Sequence, residues 1–237
     1  MHNAQASRST LEQALAPHGL RVRGGLIPHP SDGLPELPAG VGTAVIWMVG
    51  QVGSECWSAF SSSPFYRDGL PDPMDRWSKW IGNTLASRLG GRALYPSDGP
   101  PYFPFQQWAR RAGPAQISPL MLQIHPEHGL WHAYRFCLAL PELLPEDARD
   151  IAGESALSDA DICLNCDGQP CLSACPVDAF TGTSFEVDRC AEYLHGAEGQ
   201  RCMQTGCQAR QACPVGTPFQ YTPRHAAFHM AAFSKRH

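Results

Sequence analysis

The sequence lacks three features that would place it in a familiar broad class. No run approaches the roughly 18 to 20 apolar residues that a transmembrane helix needs, so we expect no membrane partner. Residues 1–10 are polar and contain no apolar segment of the kind that signal peptides carry. Basic residues are not in excess, because 18 lysines and arginines stand against 22 aspartates and glutamates, a net charge of −4. This balance predicts against a nucleic-acid partner, and we expect a cytoplasmic protein.

The composition that remains is typical of a folded, globular protein. Hydrophobic residues make up 43% of the 237 residues and charged residues 17%, which permits one large domain or two smaller ones. Cysteine is abundant, with ten residues. In a chain without an export signal, these cysteines predict reduced thiols engaged in metal or redox chemistry rather than a disulfide framework.

Eight of the ten cysteines lie between positions 163 and 213. Eight thiolates divide into two sets of four, which is the number that two cubane iron–sulfur clusters require. Two of the cysteines are followed by proline, as in the motif of bacterial two-cluster ferredoxins. The order is Cys163-x2-Cys166-x4-Cys171-x3-Cys175-Pro176, then Cys190, then Cys202-x4-Cys207-x5-Cys213-Pro214.

The alternative to iron–sulfur clusters is zinc, because C-x2-C and C-x4-C pairs also suit tetrahedral sites. The spacing before Cys171 has two residues more than the ferredoxin motif, and five residues precede Cys213. These departures leave the number of clusters open. Two Cys-Pro steps and eight sulfurs without a required histidine favour iron–sulfur clusters. Cys56 and Cys137 lie outside the cysteine-rich segment and are predicted to be buried, unpaired thiols.

Apolar periodicity predicts an α+β fold for the rest of the chain. A hairpin with its turn at 125–129 is predicted between the last two strands, and 24–42 is predicted to be irregular. The predicted helices are 9–18, 74–89 and 105–112, and the predicted strands are 43–49, 93–95, 120–124 and 131–140. The predicted organisation is a first domain at 1–155, a two-cluster module at 156–222, and a short helix or frayed tail at 223–237.

The cysteine-rich segment resembles the two-cluster, ferredoxin-like module of the epoxyqueuosine reductase family. That family has a lone cysteine in a short helix between its two cysteine groups, and Cys190 within Asp188-Arg-Cys-Ala-Glu-Tyr-Leu194 matches it. The resemblance implies two ligand sets. The first cluster would be bound by Cys163, Cys166, Cys171 and Cys213, and the second by Cys175, Cys190, Cys202 and Cys207.

Residues 124–135 resemble a signature of the cobalamin-processing proteins linked to methylmalonic aciduria type C, His-Pro-x-x-Gly-x-Trp-x-Ala-x-Arg. The same stretch is similar to the Gly-x-Trp strand of epoxyqueuosine reductases. Both families imply a nitroreductase-like scaffold that binds cobalamin, with flavin as the alternative cofactor. The candidate cofactor-binding residues are Trp131, beside the pocket, Arg135, as an anion binder, and His125 and His132, near a corrin face. The alternatives are surface histidines in the hairpin and, for Arg135, a strand residue paired with an acidic neighbour.

The chain also departs from the epoxyqueuosine reductases. Their proton-donating aspartate lies in Asp-Thr-Gly-Pro, whereas this chain has Ser97-Asp98-Gly99-Pro100. Asp98 is therefore displaced by one position and is the candidate catalytic acid only if the chain attacks an organic or tRNA substrate.

The sequence thus predicts a cobalamin-binding iron–sulfur oxidoreductase. Electrons from a ferredoxin, flavodoxin or flavin reductase would pass through two clusters to a corrinoid, reducing it or removing its upper ligand. One alternative is an epoxyqueuosine-reductase-like enzyme acting on an organic or tRNA substrate. The other is an electron-transfer protein without catalysis of its own.

Overall fold

The chain folds into two compact units in a computed structural model that describes residues 7–155 and 161–236. The first unit comprises Met1–Pro114 and Ala133–Asp159, and the second comprises Ala115–His132 and Ala160–His237. The fold is a mixture of α and β structure, as predicted. The units differ from the predicted domains in that 115–132 and the C-terminal segment both belong with the cysteine-rich part of the chain. The predicted boundary after residue 155 borders residues 156–160, which lie outside the described ranges.

The first unit is built on a four-stranded sheet in the order β1, β2, β6, β3. Strands β1 and β2 are antiparallel, as are β3 and β6. The backbone N–H of Ala44 donates to the carbonyl of Leu140 at 2.8 Å, and Gly50 lies against the backbone of Ala133, so β2 and β6 also run in opposite directions. The strands are β1 Arg21–Leu26, β2 Val45–Val52, β3 Arg92–Leu94 and β6 His132–Leu140.

Six α-helices lie in the described part of the first unit. In α4, the apolar side chains of Met74, Trp77, Ile81 and Leu85 recur every three or four residues, and all four are buried. Helix α5 buries Trp108, Ala109 and Ala112 in the same way. The helices are α1 Arg8–Leu15, α2 Trp57–Ser61, α3 Pro64–Arg67, α4 Pro73–Arg88, α5 Phe105–Ala112 and α6 Pro145–Ser155.

The second unit consists of short elements around a small core. Leu120, Ile124, Leu130, Ala209 and Cys213 form that core, and half-buried cysteines pack against it. Strands β4 Gln116–Ile117 and β5 Gln123–Ile124 form a two-stranded antiparallel sheet. The helices are α7 Pro170–Ser173, α8 Val187–His195, α9 Gln200–Thr205, α10 Gln208–Gln211 and α11 Pro223–Ser234. The cysteine-rich segment is thus held by turns and short helices.

Two predictions about secondary structure need correction. Strand β1 was missed, because Gly24 and Gly25 were interpreted as loop residues. The predicted hairpin between 120–124 and 131–140 was wrong, because β5 pairs with β4 whereas β6 joins the sheet of the first unit. Its turn exists nevertheless, since His125 and Gly129 exchange two backbone hydrogen bonds of 2.9 Å.

The segment 223–237, predicted as a short helix or a frayed tail, contains helix α11. No described helix is long and apolar enough to span a bilayer.

Candidate functional site

The structure brings the first predicted set of cysteines together around one cavity. Cys163, Cys166, Cys171 and Cys213 all line it, beside the apolar side chains of the core. Burial and, to a smaller extent, the nearby Cys213, Asp161, Cys171 and Cys166 together raise the pKa of the Cys163 thiol from its ordinary value of 9.0 to about 11. Burial also raises the pKa of the Cys171 and Cys213 thiols. A metal ion would therefore have to displace the protons of these three thiols.

Local hydrogen bonds fix the loop that carries Cys163. The Asp161 carboxylate accepts the backbone N–H of Cys163 at 3.1 Å and that of Leu164 at 2.9 Å. The Gln169 side chain donates to the carbonyl of Cys163 at 3.0 Å. This pattern is an Asx-type turn, in which an aspartate replaces backbone partners. The turn holds the thiol of Cys163 at the edge of the cavity.

The second predicted set also converges. Cys190 lies on α8, and burial raises the pKa of its thiol to about 12, with further contributions from Cys207, Cys175 and Cys202. The backbone N–H of Ala179 donates to the Cys175 sulfur at 3.3 Å. The Gln208 amide donates to the Cys202 sulfur at 3.4 Å. Hydrogen bonds to sulfur stabilise the thiolate form and tune the potential of a bound iron–sulfur cluster.

A histidine-bearing turn packs against the chain that leaves the first cysteine set. A Cβ atom added at Gly129 would lie 1.9 Å from the Val215 carbonyl oxygen, so only glycine permits this close approach. The rings of His125 and His128 stack at 4.3 Å. Nδ1 of His125 accepts the backbone N–H groups of Glu127 at 3.1 Å and His128 at 3.3 Å. In the neutral ring the proton is therefore on Nε2, which makes His125 a hydrogen-bond donor.

The remaining two cofactor candidates of this stretch lie in the second unit. Nε2 of His132 donates to the carbonyl of Gln123 at 3.1 Å. Trp131 is buried, and the Arg210 guanidinium lies 4.7 Å from its ring and 4.4 Å from the ring of Tyr221. Arg210 also donates to the carbonyl of Leu130. Trp131 thus belongs to an aromatic cluster of the cysteine-bearing unit, in which a cation contacts two ring faces.

Arg135 lies on β6 of the first unit and pairs with an amide. Its Nε donates to Oε1 of Gln51 at 2.8 Å. The partner of Arg135 is therefore a neutral amide, whereas the alternative drawn from the sequence was an acidic residue. Gln51 is fully buried, and its Nε2 has no hydrogen-bond partner in the described part of the chain. The positive charge of Arg135 also acts on Cys56. Burial raises the pKa of the Cys56 thiol to about 11, although Arg135 acts to lower it. Arg135 is half-buried, so its guanidinium is left as a donor for an anion or a carbonyl group.

Asp98 forms an ion pair. The Lys79 ammonium lies 2.8 Å from its carboxylate, and both side chains are about two-fifths exposed, at 40% and 37%. The same ammonium lies over the ring of Tyr95 at 5.3 Å. The Asp98 carboxylate is thus engaged by the Lys79 ammonium, and this contact gives no support to the role of an acid.

Three residues of these sites escaped the sequence analysis. Arg210 and Tyr221 have no motif that would reveal their packing with Trp131, because they are distant in sequence. Gln51 did carry a signal, since it is a polar residue at the end of an otherwise apolar strand. A buried polar group in that position requires a partner, which here is Arg135.

No protein-family model and no curated protein sequence matches the chain. Among solved structures, the C. elegans B12-trafficking protein CblC matches 98% of this chain and 96% of its own, with 14% identity and a TM-score of 0.52. The chain is similar in fold to CblC.

Epoxyqueuosine reductases also match. One solved with an epoxyqueuosine-modified tRNA stem loop is 17% identical, with a TM-score of 0.44, and one from Bacillus subtilis is 16% identical, also at 0.44. Both comparisons cover 78% of this chain and 54% of the reductase, so the chain spans about half the length of these enzymes. The two families that the sequence resembles therefore both supply structural neighbours.

Proposed function

We propose that the protein is a cobalamin-binding iron–sulfur oxidoreductase. Its second unit would hold two [4Fe–4S] clusters, and electrons would pass through them to a corrinoid, reducing it or removing its upper ligand. The observation that carries the proposal is the cavity lined by Cys163, Cys166, Cys171 and Cys213, of which Cys213 is distant in sequence from the other three. A structural role alone would not require four free cysteines to line one cavity.

The cysteine pattern supports clusters over zinc. C-x2-C and C-x4-C pairs alone would also suit tetrahedral zinc sites. Here, however, Cys175 and Cys213 are each followed by proline, as in the motif of bacterial two-cluster ferredoxins. The eight sulfurs also divide into two sets of four without a required histidine.

The residues would perform distinct tasks around the clusters, which supply one-electron transfer when bound. Cys163, Cys166, Cys171 and Cys213 would bind one, and Cys175, Cys190, Cys202 and Cys207 the other. The amides that donate to the sulfurs of Cys175 and Cys202 would offset the negative charge that arrives with an electron. The apolar wall formed by Leu120, Ile124 and Leu130 would exclude water from the first set.

The corrinoid part of the proposal rests on the likeness of the chain to CblC, a B12-trafficking protein, and on Arg135 of the first unit. Arg135 is half-buried and would offer N–H groups to the amide and phosphate groups at the edge of a corrinoid. Trp131, His125 and His132 remain candidate contacts. The Nε2 atoms of His125 and His132 carry protons, so neither atom presents a lone pair to cobalt. We therefore propose hydrogen bonding to the corrin edge rather than ligation through either atom. Flavin remains the alternative cofactor.

The Lys79–Asp98 ion pair gives no support to Asp98 as the acid of a reductive attack on an organic substrate. One structural neighbour was solved with a tRNA stem loop, so the prediction against a nucleic-acid partner stays a prediction. A ferredoxin, a flavodoxin or a flavin reductase would supply the electrons.

Anaerobic reconstitution followed by metal analysis tests the proposal. We expect about eight iron and eight sulfide per chain, and two interacting clusters by electron paramagnetic resonance after reduction. Hydroxocobalamin added to this protein should change its visible spectrum on binding and then be reduced by a reduced ferredoxin. Clusters without corrinoid binding at micromolar concentration would leave the electron-transfer alternative, and zinc in place of iron would reject both.

A further inference from the structure

Helix α11 of the second unit carries two histidines on one face. His225 and His229 are four residues apart, which places their side chains one above the other. Their Nε2 atoms are only 3.0 Å apart. His225 is fully buried and His229 is half-buried. The pair is therefore anchored in the core on one side and reaches the surface on the other.

Neighbouring side chains orient both rings. The Tyr221 ring lies nearly parallel to His225, at 4.2 Å and 18°. Phe228 meets His229 edge to face, at 5.5 Å and 69°. The helix itself packs against α9, where a Cβ atom added at Gly206 would lie 2.9 Å from Cβ of Ala226. Contacts with these neighbours thus hold the two imidazoles in position, which reduces the entropy that binding a ligand would cost.

Two imidazole nitrogens at this distance share either a proton or a metal ion. Metal–nitrogen bonds of about 2.0 to 2.1 Å place two nitrogens about 2.9 Å apart at a right angle and about 3.4 Å apart at a tetrahedral angle. The observed 3.0 Å lies within this range. We propose that His225 and His229 form a binding site for a divalent transition-metal ion that prefers imidazole, such as Zn²⁺, Cu²⁺ or Ni²⁺. Water would complete the coordination on the exposed side of His229.

The other histidine cluster of the unit is less suited to an ion, although it contains more ligands. Ligand atoms of His125, Glu127 and His128 lie within 4.8 Å of one another. However, the rings of His125 and His128 stack at an interplanar angle of 8°, so their nitrogens point side by side rather than towards one ion. Nδ1 of His125 already accepts two backbone N–H groups. The pair on α11 differs from this cluster because the Nε2 atoms of His225 and His229 point towards each other, 3.0 Å apart.

An ion bound there would stabilise α11 by linking two successive turns. Because α11 packs against α9, which carries Cys202, the ion would also stiffen the support of the second cysteine set. The site does not depend on the corrinoid or on the identity of the metal that the cysteines bind.

Titration calorimetry with Zn²⁺ tests the site in the 237-residue chain, whose cysteine sites are first loaded and verified by metal analysis. Zinc has no redox chemistry and leaves clusters in their oxidation state. We expect one additional Zn²⁺ per chain and a zinc-dependent rise in the thermal midpoint. His229→Gln should weaken binding about 100-fold or more, because the second nitrogen acts at high effective concentration. His229→Phe, which retains an aromatic ring, should have the same effect.

His29→Gln serves as the control, since it removes an exposed imidazole from the first unit and should leave zinc binding unchanged. Absence of additional zinc in the wild-type protein would overturn the proposal. Equal zinc affinity in wild type and both His229 variants would overturn it as well, and would assign the ion to another site. If one His229 variant fails to fold, the zinc affinity of the other variant still tests the proposal.

Discussion

At the scale of single residues, Cys190 has the largest consequence for the proposed chemistry. It is the lone cysteine between two groups, and the structure places it with Cys175, Cys202 and Cys207. We expect Cys190→Ser to lower the iron content from about eight to about four per chain, because one cluster loses a ligand. The measurement is iron and sulfide analysis after anaerobic reconstitution. Cys137→Ala is the matched control, since this buried thiol of the first unit should leave the iron content unchanged.

The buried thiol of Cys56 is expected to make the stability of the first unit depend on pH in the alkaline range. Burial raises its pKa from 9.0 to about 11 in the folded protein, so its neutral form favours folding. This contribution is complete below pH 9 and is lost as the pH rises to 11, and it amounts to about 3 kcal/mol. Chemical denaturation of the wild type between these pH values should show falling stability of the first unit. Cys56→Ala should reduce that slope, and an unchanged slope would contradict the assignment.

At the scale of elements, the turn at His125 to Gly129 depends on one close approach. Gly129 has a φ of +56° and lies against the carbonyl of Val215. Gly129→Ala should therefore destabilise the second unit by the cost of a left-handed alanine, about 1 kcal/mol, plus about 1 to 3 kcal/mol for the steric conflict. Thermal unfolding measures the loss.

Gly168→Ala separates the two costs. Gly168 has a φ of +67°, and nothing lies within 4 Å of a Cβ atom added there. This variant should show only the cost of the backbone conformation. If both variants lose the same stability, the contact with Val215 contributes nothing.

Local patterns in the sequence were sufficient to predict helices that bury one face, because the apolar residues of that face recur at helical spacing. Helix α5 was predicted at its observed bounds, because Trp108, Ala109 and Ala112 recur at helical spacing. Strand β1 was not predicted, because its Gly24 looks like a loop residue. In the structure, Gly24 allows the strand to approach α5 closely, since a Cβ atom added there would lie 1.9 Å from the Ala112 carbonyl oxygen. A glycine used for close approach looks like a loop residue in the sequence.

Pairing between distant segments could not be predicted. The turn before Trp131 was recognised, but the partners of its flanking strands depend on contacts far away in the chain. The grouping of the cysteines came from the family resemblance, whereas the packing of Arg210 against Trp131 had no local signal. Gln51 had a local signal as a polar residue in an apolar strand, but nothing local identified Arg135 as its partner. Spacing predicts chemistry when the ligands are close in sequence, and cannot predict contacts that the fold creates.

At the scale of the whole molecule, the two units differ in how they are stabilised. The first unit has a sheet covered by helices, with a large apolar core. The core of the second is small and includes its own cysteines, so metal binding should contribute much of its folding free energy. Removing iron with a chelator should lower the unfolding temperature of the second unit and leave the first nearly unchanged. Limited proteolysis should then cut within 161–236, and equal resistance with and without iron would contradict this view.

Residues 115–132 belong to the second unit although strand β6 of the first follows them directly. The gene segment that encodes the cysteine-bearing second unit is consequently interrupted by the codons for β6, a central strand of the first unit. Recombination could transfer this unit to another protein only by moving two separate pieces. The two units are therefore expected to be inherited together, and a duplication or loss of one without the other should be rare.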